Sequence, residues 1–140
     1  MRYWDTSALL PLLVEERRSD EVRRLHDQDP AVVTWGWTRV EVTGAIERLA
    51  REGKLSRNRR RESIDRFMAL ATSWDEVVDL VAVRARAIAL LARHPLRAAD
   101  AAQLGAALLV ADGDPSALSF VCLEERLADA AEGEGLRVLI

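Results

Sequence analysis

Residues 2–10 read RYWDTSALL. This stretch predicts a short strand over residues 2–4 and a helical segment from Ser7, with the acidic Asp5 at the end of the strand. The later strands are predicted at 31–34, 74–78, 119–122 and 136–139. Helices are predicted between them, at 20–26, 38–52, 80–93, 97–111 and 124–132. Strands that alternate with helices indicate a mostly parallel sheet. We therefore predict an α/β fold with a central parallel sheet flanked by helices on both faces.

One further helix follows Ser56, which can serve as its N-cap. Its buried stripe is predicted to consist of Ile64, Phe67, Met68 and Ala71. The arginines at 59–61 fall in its first turns, where the helix dipole disfavours positive charge. That placement suggests a role other than helix stability.

The composition excludes several classes of protein. Hydrophobic residues make up 49% and charged residues 31% of the 140 residues, which predicts a single globular domain over residues 1–140. No apolar run approaches the ~20 residues that span a bilayer, so we predict no membrane segment and a cytoplasmic location. Cys122 is the only cysteine, which excludes an internal disulfide.

The net charge of −3 argues against nucleic-acid binding, because proteins that bind phosphate usually carry a basic surface. The positive charge is nevertheless almost all arginine, with Lys54 the only lysine, and arginine can bind phosphate through two hydrogen bonds. The arginines cluster at 17–18, 23–24 and 57–61. Each cluster is either a solvated helix face or a contact for RNA.

Four acidic residues fall where an α/β fold would bring them together: Asp5, Glu41, Asp100 and Glu124. Asp5 and Glu124 follow strands, and ligands bind beyond the carboxyl ends of parallel strands. Gathered carboxylates repel each other unless a cation offsets their charge. Oxygen ligands without a histidine or cysteine partner suit Mg²⁺ or Mn²⁺. We therefore predict a metal site formed by these four residues.

Simpler interpretations of the same residues stay open at this point. Asp100 can pair with Arg97 one helical turn away, and Glu41 can be an ordinary acid at a helix start. Ser7 can be a helix N-cap. Cys122 is interpreted as a small buried residue rather than a catalytic thiol, because no histidine stands in a recognisable relation to it.

Two stretches resemble the signatures of PIN-domain ribonucleases, specifically the toxins of VapBC toxin–antitoxin systems. They are DTSAL at 5–9 and HPLRAADAAQL at 94–104. Between them, EVTGA at 41–45 is similar to the helix that carries the family's glutamate. FVCLEERL at 120–127 resembles the family's last conserved strand and turn. The resemblance covers the whole chain, in order.

The resemblance implies a single PIN-like domain and a Mg²⁺- or Mn²⁺-dependent endoribonuclease. Asp5 and Asp100 would bind the metal directly, and Glu41 and Glu124 would hold a second ion or its waters, with Ser7 and Thr6 in support. It also implies a homodimer and a small antitoxin that inserts a basic side chain into the site. The apolar surface of residues 9–14 is predicted to bind the rest of the antitoxin segment.

Two residues depart from the family pattern, which usually has Thr or Ser in place of Cys122 and Asp in place of Glu124. Glutamate is one methylene longer, so Glu124 would reach the metal through water or fail to reach it. The departures support one alternative, a PIN-like binding module without catalysis. A phospho-acceptor signalling domain is a second alternative, but it needs a lysine late in the chain.

Trp35 and Trp37 precede the helix of Glu41 and would lie at the mouth of the site. They are predicted either to stack on unpaired RNA bases or to pack in the core or a dimer interface.

Overall fold

The computed structural model describes all 140 residues. It contains five strands, β1 (Arg2–Trp4), β2 (Val32–Trp35), β3 (Asp75–Val77), β4 (Ser119–Val121) and β5 (Arg137–Leu139). Its seven α-helices are α1 (Thr6–Leu13), α2 (Ser19–Gln28), α3 (Thr38–Arg51), α4 (Arg57–Ala71), α5 (Leu80–Arg93), α6 (Ala98–Ala111) and α7 (Glu125–Gly133). A 3₁₀ turn at Pro115–Ala117, which the sequence analysis missed, precedes β4. No helix combines the length and apolar character needed to cross a membrane.

All five strands form one parallel sheet in the order β3-β2-β1-β4-β5. The predicted α/β class is therefore confirmed. The first strand lies at the centre, where Tyr3 pairs with Val33 on one side and with Phe120 on the other. The chain builds outward from β1 in both directions, so the switch in strand order falls between β1 and β4. Ligands bind at such switch points in open α/β sheets.

Helices cover both faces of the sheet. Neighbouring residues of each strand point to opposite sides, and on both sides apolar residues pack against helices. Tyr3 and Phe120 pack against side chains of α5, α6 and α7. Trp4 and Val121 pack with residues of α1 to α4 on the other face. The sheet thus separates two apolar clusters.

One prediction about buried residues is wrong, and a second holds only in part. Met68 is 62% exposed, whereas Phe67 and Ala71 are buried, because α4 contacts the core along a narrow face. The predicted apolar surface of residues 9–14 is smaller than expected: Leu10 and Leu12 are partly exposed, and Leu13 and Val14 line a cavity of about 320 Å³ beside α4. Leu9, Leu13 and Val14 are all buried, since α1 turns its apolar face toward the sheet and uses it for the protein's own core.

Gly105 sets the distance between α5 and α6. A Cβ at this position would lie 3.1 Å from the carbonyl oxygen of Val83 and 3.3 Å from the amide nitrogen of Ala87. Both neighbours are backbone atoms of α5, so a larger residue would force the helices apart. The close contact fixes α6, which carries Asp100.

Candidate functional site

Asp5 is the first residue after the central strand and is 4% exposed. It is the N-cap of α1: the backbone amide of Ser7 donates to its Oδ2 at 3.1 Å. The Ser7 hydroxyl donates to the same oxygen, and the Cys122 thiol contacts it at 3.5 Å. All three contacts end on Oδ2. The other oxygen, Oδ1, accepts no hydrogen bond from the protein and is open to a cation.

Ser7 is not the N-cap of α1, since Asp5 has that position. Its hydroxyl oxygen instead accepts a hydrogen bond from the backbone amide of Leu123, at 2.9 Å. Ser7 therefore joins Asp5 to the loop that follows β4. This link crosses the switch point between β1 and β4 and holds the Asp5 carboxylate in place.

Glu41 lies in the first turn of α3 and is half-buried. Its Oε2 accepts a hydrogen bond from the Thr6 hydroxyl at 2.9 Å. Its Oε1 accepts one from the side-chain amide of Gln103 at 3.2 Å. The first turn of α1 and the middle of α6 thus hold the Glu41 carboxylate toward the sheet.

Gln103 is a residue of the site that sequence reasoning did not assign. It is 1% exposed; its Oε1 accepts from the Tyr3 hydroxyl at 2.8 Å, and its Nε2 also contacts the Thr38 hydroxyl at 2.9 Å. A buried amide needs such partners. The available signal was its position three residues after Asp100, on the polar strip of an otherwise apolar helix.

Asp100 lies in the first turn of α6, with 18% of its side chain exposed. The pair with Arg97 does form, at 3.5 Å from Nε to Oδ2. The Arg97 side chain is 80% exposed, so the contact is long and solvated. An exposed pair of this kind contributes little to stability and leaves the Oδ1 atom of Asp100 without a partner.

Burial and neighbouring negative charge raise the pKa of Asp5 and the pKa of Glu41. Burial raises the pKa of Asp5, the hydrogen bonds from Ser7 lower it, and the charge of Asp100 raises it further. Burial is also the main cause that raises the pKa of Glu41, and the charges of Asp5 and Asp100 add to it. The only cation paired with any of these carboxylates is the exposed Arg97. The site is therefore negative, and no buried cation offsets its charge.

Cys122 is completely buried beside Asp5. Burial, followed by the charge of Asp5, raises the pKa of its thiol far above the usual range. A thiol that stays protonated is a poor nucleophile. The interpretation of Cys122 as a buried core residue agrees with this environment.

Glu124 is the N-cap of α7, with its Oε2 accepting a hydrogen bond from the Leu127 amide at 2.7 Å. It lines a cavity of about 360 Å³ together with Asp100 and the side chains of Pro95, Arg97 and Arg126. Glu124 therefore faces the same space as Asp100. One of its oxygens is committed to the helix cap, and it makes no hydrogen bond to the network of Glu41 and Gln103.

No group of three or more His, Cys, Asp and Glu side chains is arranged to hold a metal ion. The donor chemistry nevertheless fits Mg²⁺ or Mn²⁺, because only carboxylate oxygens are offered and the Oδ1 atoms of Asp5 and Asp100 are free. Mg²⁺ usually binds through one or two carboxylates and keeps several waters. The side chains therefore provide a partial ligand set that water would complete.

The two tryptophans ahead of α3 differ in position. Trp35 is 8% exposed and belongs to the core of the sheet, whereas Trp37 is 61% exposed. Stacking on a base is thus available to Trp37 alone. For Trp35 the alternative of core packing is confirmed, because Trp35 is the last residue of β2 and packs under α5 and α6.

No family model matches the chain, and no curated protein sequence does. Among solved structures, it is similar to a chain of a "Toxin-antitoxin complex from Klebsiella pneumoniae", with a TM-score of 0.66. The two chains share a fold. The match covers 100% of this chain and 97% of the other at 18% identity, a likeness that extends to architecture alone. The resemblance to PIN-domain ribonucleases remains a prediction.

Proposed function

We propose that the protein is a Mg²⁺- or Mn²⁺-dependent endoribonuclease and the PIN-domain, VapC-type toxin of a type II toxin–antitoxin pair. The observation that carries the proposal is the placement of three acids beyond the central strand: Asp5 is 4% exposed, Glu41 is held by Thr6 and Gln103, and Asp100 lies in the first turn of α6. Their negative charge has no buried cation to offset it. A similar fold in a solved toxin–antitoxin complex supports the biological assignment.

Asp5 and Asp100 would hold the ion through their free oxygens. A bound divalent ion would supply an activated water and a positive charge against the developing charge on phosphate. Glu41, fixed by Thr6 and Gln103 and with its pKa raised by burial, is the residue to accept a proton from the attacking water. Glu124, held as a helix cap, would act through water.

The proposed partner is a small antitoxin that places a lysine or arginine among the carboxylates. A cation from the partner would compete with the metal and form charge-assisted hydrogen bonds with the free carboxylate oxygens. Leu9, Leu13 and Val14 are buried, so residues 9–14 offer only Leu10 and Leu12, both partly exposed, to the remainder of the antitoxin. We therefore restrict the proposed contact to the acid site itself.

The second proposed partner is another copy of the same chain, with which the protein would form a homodimer. The helix α5 exposes apolar residues at a helical spacing, with Val81 and Ile88 each 66% exposed. Its opposite side packs on α6 through Val83 and Leu90. An exposed apolar stripe of this kind marks interaction surfaces.

The decisive experiment measures RNA cleavage in Mg²⁺ and in Mn²⁺. We expect Asp5→Asn and Asp100→Asn to abolish cleavage and Glu124→Gln to lower the rate far less, because Glu124 is partly committed to the α7 cap. Asp65→Asn is the control, since Asp65 is exposed on α4 and makes no hydrogen bond or ion pair. Cleavage at the parental rate by either aspartate variant would overturn the site assignment.

A growth assay tests the toxin role separately. Expression of the chain alone is expected to arrest growth, Asp5→Asn to abolish the arrest, and co-expression of the adjacent small protein to relieve it. Normal growth under strong expression of folded, metal-loaded protein would contradict the toxin assignment.

A PIN-like binding module without catalysis is the second candidate, favoured by the partial ligand set and the capping role of Glu124. Tight Mn²⁺ binding without RNA cleavage would support it. A phospho-acceptor domain is not supported, because Lys54 pairs with Glu52 between α3 and α4 and contacts none of the acids.

A further inference from the structure

The cavity between Asp100 and Glu124 carries positive as well as negative side chains. Arg97 and Arg126 line it together with the two acids, and the remaining lining residue is Pro95. Two guanidinium groups would repel a metal cation in this cavity, so binding of a metal alone does not explain their presence. Their place beside the acid site therefore calls for an anionic ligand.

Neither arginine contributes to the fold. Arg126 is exposed and makes no hydrogen bond or ion pair within the protein. It lies in the first turn of α7, where the helix dipole disfavours a positive charge. Arg97 occupies the N-cap position of α6 without a capping hydrogen bond, and its one contact is the long, solvated pair with Asp100. Both side chains are free to bind a ligand.

The backbone around the cavity favours an anion as well. Arg97 and Asp100 belong to the start of α6, and Glu124 and Arg126 belong to the start of α7. Helix N-termini carry partial positive charge and unpaired amide groups. Two helix starts and two guanidinium groups thus surround one space of about 360 Å³.

We infer that Arg97 and Arg126 are positioning residues that bind one backbone phosphate of single-stranded RNA on the Asp100–Glu124 side of the acid site. The inference rests on the proposed function and specifies how its substrate is oriented. Arginine suits this role because its planar group binds phosphate through two hydrogen bonds.

The first test measures the affinity for single-stranded RNA as a function of salt, with Asp5→Asn present in every protein to prevent cleavage. Removal of one phosphate contact lowers the slope of log K against log salt by about 0.7. We expect this change when both arginines are replaced by glutamine, and a part of it for Arg126→Gln and for Arg97→Gln alone. Arg51→Gln is the matched control: Arg51 is exposed, makes no hydrogen bond or ion pair and lies in the last turn of α3.

A second test leaves the protein unchanged and replaces single phosphates of the RNA by neutral methylphosphonates. One position is expected to reproduce the loss of affinity caused by replacing both arginines with glutamine, and at that position Arg126→Gln should cause no additional loss. In the cleaving protein, Arg126→Gln should raise KM and leave kcat nearly unchanged. Equal effects at every phosphate, or an additional loss in the variant at all of them, would overturn the inference.

The outcomes separate the two proposals. If the parent protein cleaves RNA and both arginine variants retain the parental salt slope and KM, the inference is wrong and the proposed function stands. If the parent binds RNA through Arg126 and does not cleave it, the phosphate contact stands and the enzyme assignment fails. If the parent does not bind RNA, both are overturned.

Discussion

At the residue scale, Asp5 combines a stabilising and a destabilising role. Its carboxylate caps α1, and an N-cap contributes about 1 kcal/mol. Its charge is also buried, which raises its pKa and makes ionisation unfavourable in the folded protein. The carboxylate that caps α1 is therefore also a buried negative charge, and a bound cation would lower the cost of its ionisation.

Asp5→Asn is expected to raise the thermal stability at neutral pH. Asparagine keeps the oxygen that caps α1 and removes the buried charge. Because the pKa of Asp5 is raised on folding, its ionisation costs stability above the folded-state pKa and costs nothing below the unfolded value of about 3.9. The gain in Tm should thus be present at pH 7 and disappear as the pH falls below about 4.

The measurement is a pair of thermal unfolding curves at each pH. Asp65→Asn changes an exposed carboxylate on α4, and its Tm should stay close to that of the parent protein at every pH. A lower Tm for Asp5→Asn at pH 7 would mean that the hydrogen bonds of the carboxylate outweigh the cost of burying its charge.

Trp37 is the exposed aromatic residue at the start of α3, and Trp37→Ala is expected to weaken RNA binding. Stacking on a base contributes about 1–3 kcal/mol, which corresponds to a loss of roughly 5- to 150-fold in affinity. The thermal stability should change little because the ring is 61% exposed. Val40→Ala, an exposed apolar residue of the same helix, is the control. Equal affinities for the parent and Trp37→Ala would exclude stacking.

At the scale of elements, α6 is positioned by its contact with α5. Gly105→Ala is expected to destabilise the protein by about 1–3 kcal/mol, the usual effect of overpacking, although alanine is the better helix former. Gly44→Ala in α3 is the matched control, because nothing lies within 4 Å of the added Cβ. It should stabilise by about 0.5–1 kcal/mol. Chemical denaturation measures both; equal responses would contradict the close packing of the two helices.

The alternation of strands and helices was sufficient to predict the elements and the parallel sheet, because hydrophobic periodicity and caps are local properties. The helix of residues 80–93 has the predicted bounds, and Ser56 caps α4 through the Arg59 amide. Asp5, Glu41 and Asp100 could be proposed as one site because strand ends and helix starts meet at one edge of such a sheet.

Other features depend on contacts between distant segments and could not be predicted. The hydrogen bond from Gln103 to Glu41 joins α6 to α3, and the bond from Leu123 to Ser7 joins the last loop to the first helix. The burial of Leu13 and the exposure of Met68 depend on which helix faces meet. A single sequence gives the pattern of a helix, but not the partner of each face.

At the scale of the whole molecule, the apolar stripe of α5 is expected to form a dimer interface. Ile88→Asp should convert the dimer into a monomer, because a charge at the centre of an apolar contact would be buried without a partner. Met68→Asp changes an equally exposed residue on α4 and should leave the dimer intact. Light scattering of the eluted protein gives the mass directly. A parent protein that is monomeric at high concentration would exclude the interface.

The pairing of β1 with β4 also governs when the acid site comes into existence. Tyr3 pairs with Phe120, and the amide of Asp5 donates to the carbonyl oxygen of Val121. Neither contact can form before β4 has been synthesised. Ribosomes add about 5–20 residues per second, so the start of the chain spends on the order of ten seconds without its final neighbour. A nascent chain whose β4 is still inside the exit tunnel holds Asp5 on an incomplete sheet. The acid site can therefore form only after β4 has emerged and paired with β1.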